Sequence, residues 1–170
     1  MNVNIVFIKN NQWWNLAARV IRLWTTSDYD HVGIYISKRQ LPSLKNSDIY
    51  RRIPELHHEY VQAPLIFDAT LTQGVKLRKF NDATKHGIIS VQNTGLKMLD
   101  LVNFIREHNH KRYDLKGVLA FALPFFKQRK NSYYCSELVA SFFSQQQLID
   151  VGNKPSPKQI YNVLKCYKNG

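Results

Sequence analysis

The first feature with chemical promise is a thiol at the head of an amphipathic stretch. In Ser132-Tyr-Tyr-Cys-Ser-Glu-Leu-Val-Ala-Ser-Phe-Phe, the apolar residues from Leu138 onward recur at helical spacing, which puts Cys135 at or near a helix's first turn. There the macrodipole and the free backbone N–H groups favour thiolate over thiol. The same N–H groups, that of Cys135 included, can hold the oxyanion formed when sulfur attacks a carbonyl. A nucleophilic thiol also needs a base that later protonates the leaving group, a task suited to histidine. Of the six histidines, His57 and His58 lie in an irregular stretch, His86 in a turn, and His108 and His110 at a charged helix end. All five fit solvated surface positions. Only His31 opens a core-type strand, His31-Val-Gly-Ile-Tyr-Ile-Ser. The base needs an orienting acceptor in turn. Asp68 is a carboxylate inside the apolar run Leu65-Ile-Phe-Asp-Ala-Thr, where burial without a partner would be costly. Taken singly, each residue also fits an ordinary role: Cys135 as a small buried helix residue, His31 as a packed or capping histidine, Asp68 as an outward-facing strand residue.

Several elements must position these three. Val3, Ile5 and Phe7 alternate with Asn4, Val6 and Ile8 as a buried opening strand, and Val32, Ile34 and Ile36 do the same after His31. Between them, Gln12 to Trp24 spaces Trp13, Trp14, Ala17, Ala18, Ile21 and Trp24 as a helix with one packed face. Lys38 to Ala63 shows no clear period and reads as an irregular insertion. Leu65–Thr70, Val75–Phe80 and Gly87–Val91 follow as strands of an antiparallel meander. Thr94 then caps a helix with Leu96, Leu99, Val102 and Ile105 on one face. A further helix runs from Asp114 to about Phe121, and Ser156-Pro157 opens a last one carrying Ile160, Val163 and Leu164.

The hydrophobic fraction of 44% in 170 residues suffices for one sizeable core, so residues 1–170 are expected to form one domain. Lys and Arg outnumber Asp and Glu by 24 to 12, and the resulting +12 charge points to an anionic partner. The basic residues are dispersed and carry no recognised nucleic-acid motif, so no specific nucleic acid is expected, while peripheral contact with a membrane stays open. The two cysteines, Cys135 and Cys166, belong to neither a CxxC pair nor a His-rich cluster; no metal and no cofactor are expected, and reducing surroundings fit. The N-terminal apolar run breaks at Lys9-Asn-Asn, and Val118–Phe126 falls short of the ~20 residues needed to cross a bilayer. A cytoplasmic protein, or one delivered without a signal peptide, is expected.

Together, the Asp30-His31-Val32-Gly33-Ile34 strand, the Asp68-Ala69 pair followed by Gly74-Val75, the Tyr113-Asp114 pair and the Tyr134-Cys135-Ser136-Glu137-Leu138-Val139 helix resemble the circularly permuted, papain-like NlpC-type hydrolases, in particular the YiiX-like branch. The likeness spans roughly Val3 to Tyr161. It implies an α+β fold whose antiparallel sheet packs against the cysteine helix. It also implies a Cys135–His31–Asp68 triad, with aspartate where the family more often carries glutamate, and places Tyr134, Tyr113, Gly33 and Tyr35 at the substrate. Related branches act on amides or esters, from cell-wall peptides to the acyl chains moved by lecithin:retinol acyltransferase-like enzymes, whose Asn-Cys-Glu-His motif is lacking here. The expectation is a thiol hydrolase of amidase or peptidase type acting on a peptide, amide or lipid substrate that can carry an anionic group. The alternatives are a lipid acyltransferase or a non-catalytic basic module. The 38–63 insertion is expected to form a wall of the cleft, with Tyr50, Ile53 and Leu56 on the apolar part of the substrate and Arg51, Arg52 and Lys127–Lys130 on its acidic part.

Overall fold

Strand β1 (Asn2–Asn10) is apolar on both faces, and that places it inside the sheet. In the computed structural model, which describes residues 2–10, 28–45, 51, 63–84, 87–119, 131–152 and 155–169, Val3, Ile5 and Phe7 enter the main core. Val6 and Ile8 join Ile66 in a smaller cluster on the opposite face. β1 pairs antiparallel with β2 (His31–Ile36) on one side and β5 (Gly87–Lys97) on the other. β3 (Leu65–Thr70) and β4 (Gly74–Lys79) complete an antiparallel sheet of order β4-β3-β2-β1-β5. Hence β1, β2, β3 and β4 follow one another across the sheet as a meander. β5, expected to follow β4, lies at the far edge, because β1 is buried on both faces and takes a neighbour on each side.

The 38–63 insertion starts with regular structure. A 3-10 turn at Lys38–Gln40 leads into α1 (Leu41–Lys45), with Leu41 and Leu44 buried in the main core. The Ser37 amide donates to Gln40 Oε1 (2.8 Å), and Gln40 Nε2 donates to the Asn2 carbonyl (2.7 Å), tying the turn to β1. The expected Gln12–Trp24 helix, and most of the insertion, lie outside the described residues.

α2 (Phe80–Thr84) follows β4, and α3 (Met98–His108) follows β5. Thr94 caps no helix. It lies in a bulge of β5, at the register shift between Asn2 and Asn4, where Gly95 takes a φ of 77° and the Thr94 hydroxyl donates to the Val3 carbonyl (2.9 Å). Moving the helix start to Met98 rotates the apolar face to Leu101, Val102, Phe104 and Ile105, so Leu99 is 68% exposed. β6 (Arg112–Tyr113) pairs parallel with β7 (Ser132–Tyr133), and α4 (Leu115–Leu119) lies between them in the chain. Asp114 opens that helix, its Oδ1 accepting from the Gly117 amide (3.0 Å). α5 (Cys135–Gln145) packs on β2 and β3 through the main core, and α6 (Pro157–Asn169) closes the chain. As expected, Ser156 caps α6: its hydroxyl accepts from the Gln159 amide, and Gln159 Oε1 accepts from the Ser156 amide.

Candidate active site

Cys135 is the first residue of α5, preceded by Tyr134 in an extended conformation, so the thiol stands where helix N–H groups have no intrahelical acceptor. The helix start is fixed from two directions. Ser136 Oγ donates to the Pro155 carbonyl (2.7 Å), and the Tyr134 amide donates to Glu137 Oε2 (3.4 Å). The apolar flank of Leu138, Val139, Phe142 and Phe143 then seats α5 on the sheet. Cys135 is 3% exposed, whereas Cys166 is exposed, and both are free thiols.

The first residue of β2, His31, meets both candidate partners. Its Nε2–H donates to Asp68 Oδ2 (2.7 Å), and a second side-chain hydrogen bond joins the ring to Cys135, which leaves Nδ1 as the nitrogen that serves the thiol. Burial by itself would push the imidazole down. The negative charge of Cys135 and the hydrogen bonds with Asp68 and Cys135 outweigh it, so His31 is pushed up to about 10 and keeps its proton at neutral pH. Asp68 is 1% exposed. Burial alone would raise its carboxyl, but the hydrogen bonds and charges of His31 and Arg78 hold it below the usual carboxylate range. The site is therefore arranged as a charged line: carboxylate, imidazolium, sulfur.

Tyr113 reaches the same place through the β6–β7 pair, which sets it opposite Tyr133, two residues before Cys135. Burial, then the charges of Cys135 and Asp114, raise its phenol, so the hydroxyl stays protonated beside the sulfur. The other three residues expected at the substrate, Tyr134, Tyr35 and Gly33, pack against other parts of the protein. Tyr134 is buried in the core, and Tyr35 packs on Phe80 with ring centroids 4.6 Å apart in the smaller cluster. Gly33 is buried too, and a Cβ there would lie 2.7 Å from Ile66 Cδ1 and 3.0 Å from Asp68 Cβ. Its missing side chain makes room for Ile66 and Asp68. Gly33→Ala is expected to destabilise the protein by about 1–3 kcal/mol, since Ile66 is itself fully packed. A melting temperature equal to wild type would show that the strand pair tolerates the methyl group.

His108, read as a solvated helix-end residue, is buried. Its ring stacks on Phe104 with centroids 4.0 Å apart, and Nδ1–H donates to the Phe104 carbonyl (3.0 Å). Burial and the Lys111 charge hold it below the ordinary histidine value. His110 is exposed, and His57, His58 and His86 lie outside the described residues.

Sequence reasoning missed Arg78. Its Nε donates to Asp68 Oδ1 (2.9 Å) and Oδ2 (3.1 Å), and its Nη2 donates to Oδ2 (2.5 Å). In Val75-Lys76-Leu77-Arg78 it reads as an ordinary polar position on a half-buried strand. The hairpin register would have flagged it: Arg78 sits opposite Ile66, diagonal to Asp68. Glu137, in the first turn of α5, is pushed up to about 7, chiefly by burial and also by the Asp114 charge.

Residues 4–162 match the family described as permuted papain-like amidase enzymes, YaeF/YiiX, C92 family. The crystal structure of the metalloprotein yiiX from Escherichia coli O157:H7 superposes with a TM-score of 0.57 at 20% identity, over 90% of this chain and 69% of that one, a likeness that speaks for the fold. No curated protein matches this chain. Among the described residues, no group of three or more His, Cys, Asp or Glu is placed to hold a metal ion. Nor is any described helix long and apolar enough to cross a membrane.

Proposed function

Because the chain belongs to the YaeF/YiiX family of permuted papain-like amidases, we propose that it cleaves an amide or ester through an acyl-enzyme on Cys135, with His31 as general acid and base and Asp68 as orienting acceptor. The observation that carries this reading is the hydrogen-bonded line Asp68–His31–Cys135, assembled from β3, β2 and the start of α5. The Cys135 thiolate attacks the carbonyl carbon, and a C–S bond forms as the carbonyl π electrons move to oxygen. The Cys135 backbone N–H and the Tyr113 hydroxyl are the donors available to that oxyanion. As the tetrahedral species collapses, the imidazolium of His31 gives its proton to the leaving nitrogen or oxygen, leaving a thioester and a neutral ring. Water then gives a proton to His31 while its oxygen attacks the thioester, and the thiolate departs with the pair restored. An acceptor other than water would make the same site an acyltransferase.

An anionic substrate, peptide or lipid, suits the rim. Arg112 and Lys116 are exposed on either side of Tyr113, and Lys111 lies with its Nζ 5.3 Å from the Tyr133 ring centroid. Arg51 is exposed as well, while Tyr50, Arg52, Ile53, Leu56 and Lys127–Lys130 lie outside the described residues. Electrophilic acyl probes with and without a carboxylate or phosphate are expected to acylate Cys135, mapped by mass, and the anionic members faster at low salt than at high salt. Absence of any Cys135 adduct would remove the acyl-enzyme. Equal rates at all salt concentrations would remove the anionic preference.

A further inference from the structure

Arg78 grips Asp68, yet no step of the reaction above uses it. We infer that Arg78 is a positioning residue whose guanidinium clamps both oxygens of Asp68, so that Oδ2 stays aimed at His31 Nε2 and the opposite ring nitrogen faces Cys135. The clamp's part in catalysis rests on the proposed thiol mechanism; the clamp itself does not.

The geometry carries the inference. A carboxylate held only by His31 would be free to swing about a broad terminal torsion. The planar donors of arginine remove that freedom, since Nε reaches Oδ1 at 2.9 Å while Nη2 reaches Oδ2 at 2.5 Å. Oδ2 thus receives both Arg78 and His31 (2.7 Å), and the three side chains lock in one arrangement. Gly33 contributes from the other strand by leaving room beside the Asp68 Cβ. A purely structural stitch between β3 and β4 is not required, because their register already runs unbroken from Leu65↔Lys79 to Thr70↔Gly74. Among the described residues, the charged groups acting on or paired with the two side chains include His31 on β2, the register partner Lys76 on β4, and Asp82 on α2, whose charge acts on Arg78. Part of the holding-down of the Asp68 carboxyl comes from Arg78.

Three variants test the clamp: Arg78→Met, Arg78→Lys and, as reference, Asp68→Asn. The readouts are the Asp68 carboxyl titration followed by carbon NMR, the pH profile of Cys135 alkylation by iodoacetamide, and thermal melting. In Arg78→Met the Asp68 titration is expected to move up by about one pH unit or more, as loss of an adjacent opposite charge requires. The acid limb of Cys135 alkylation should move with it. Arg78→Lys restores the charge without the fork, so the titration should return toward wild type while alkylation stays slower. A folded Arg78→Met protein that melts lower but keeps the wild-type Asp68 titration and alkylation profile would reduce Arg78 to a stitch between strands and overturn the inference. If Arg78→Met fails to fold, Arg78→Lys decides: wild-type alkylation rates across the pH range would refute a role for the fork. Failure of the proposed function looks different. Wild-type Cys135 would then take no acyl probe, while the Asp68 titration would still respond to Arg78→Met.

Discussion

Cys135→Ala is expected to abolish turnover, a loss of at least about 10⁴-fold, with the fold retained, because removing the nucleophile leaves only binding and the oxyanion donors. Alanine fits the site, since Cys135 is already a small side chain at 3% exposure and the helix start is held by Ser136 and Glu137. Cys166→Ala should leave activity unchanged, as that residue is exposed on α6. The two thiols also oppose access to activation. Exposure alone makes Cys166 the faster to alkylate. A place at the head of α5 and a hydrogen bond with His31 make it Cys135. Brief treatment with iodoacetamide slightly below neutral pH, followed by peptide mapping, is therefore expected to label Cys135 first. Preferential labelling of Cys166, or full activity in a folded Cys135→Ala protein, would contradict the acyl-enzyme.

The second large effect concerns the base. His31→Ala should reduce turnover by roughly 10⁴-fold or more, and Asp68→Asn by less, because in the proposed mechanism Asp68 orients the ring whereas His31 moves the proton. Unchanged turnover in a folded His31→Ala protein would remove His31 from the mechanism; His108 could not step in, being buried and stacked on Phe104. The pH dependence carries its own sign. A histidine raised to about 10 in the folded protein holds the proton that the leaving group needs up to that pH, so turnover should fall as pH rises through about 10. The same shift has a consequence for stability. Unfolded histidine releases its proton near its ordinary value of 6.5, so the stabilisation is complete below that value and is lost as pH rises toward about 10. Melting temperatures of wild type and His31→Ala should accordingly converge as the buffer is taken from pH 6 to above 10. A gap that stays constant across that range would mean that the ion pair is not what His31 contributes.

Local order was legible from residue types and spacing alone. The alternation in Val3–Ile8 and in His31–Ile36 and the apolar run of Leu65–Thr70 pointed to strands, and Cys135 at the head of an apolar helix stripe was the candidate nucleophile. Ser156-Pro157 announced the last helix. Each of these signals is short-range, so the residues that carry it are neighbours in the chain. What the tertiary structure decided is which distant residues face one another. The position of β5 beside β1 followed from a strand that is apolar on both faces, a need that belongs to the sheet and not to Gly87–Lys97. A β-bulge at Gly95 moved the helix start past Thr94 and turned Leu99 outward. Polar residues on alternate strand positions look alike in sequence whether they meet water or a buried charge. That is why Arg78 drew no notice, and Asp68 fitted an outward-facing position as well as a buried one, until β3 and β4 were in register. His108 likewise was hidden among charged neighbours, because a helix end shows in sequence and the aromatic ring that covers it does not. Chain order alone could name a cysteine, a histidine and an aspartate. Only the pairing of strands, and the packing of α5 across them, could bring the three within hydrogen-bonding reach.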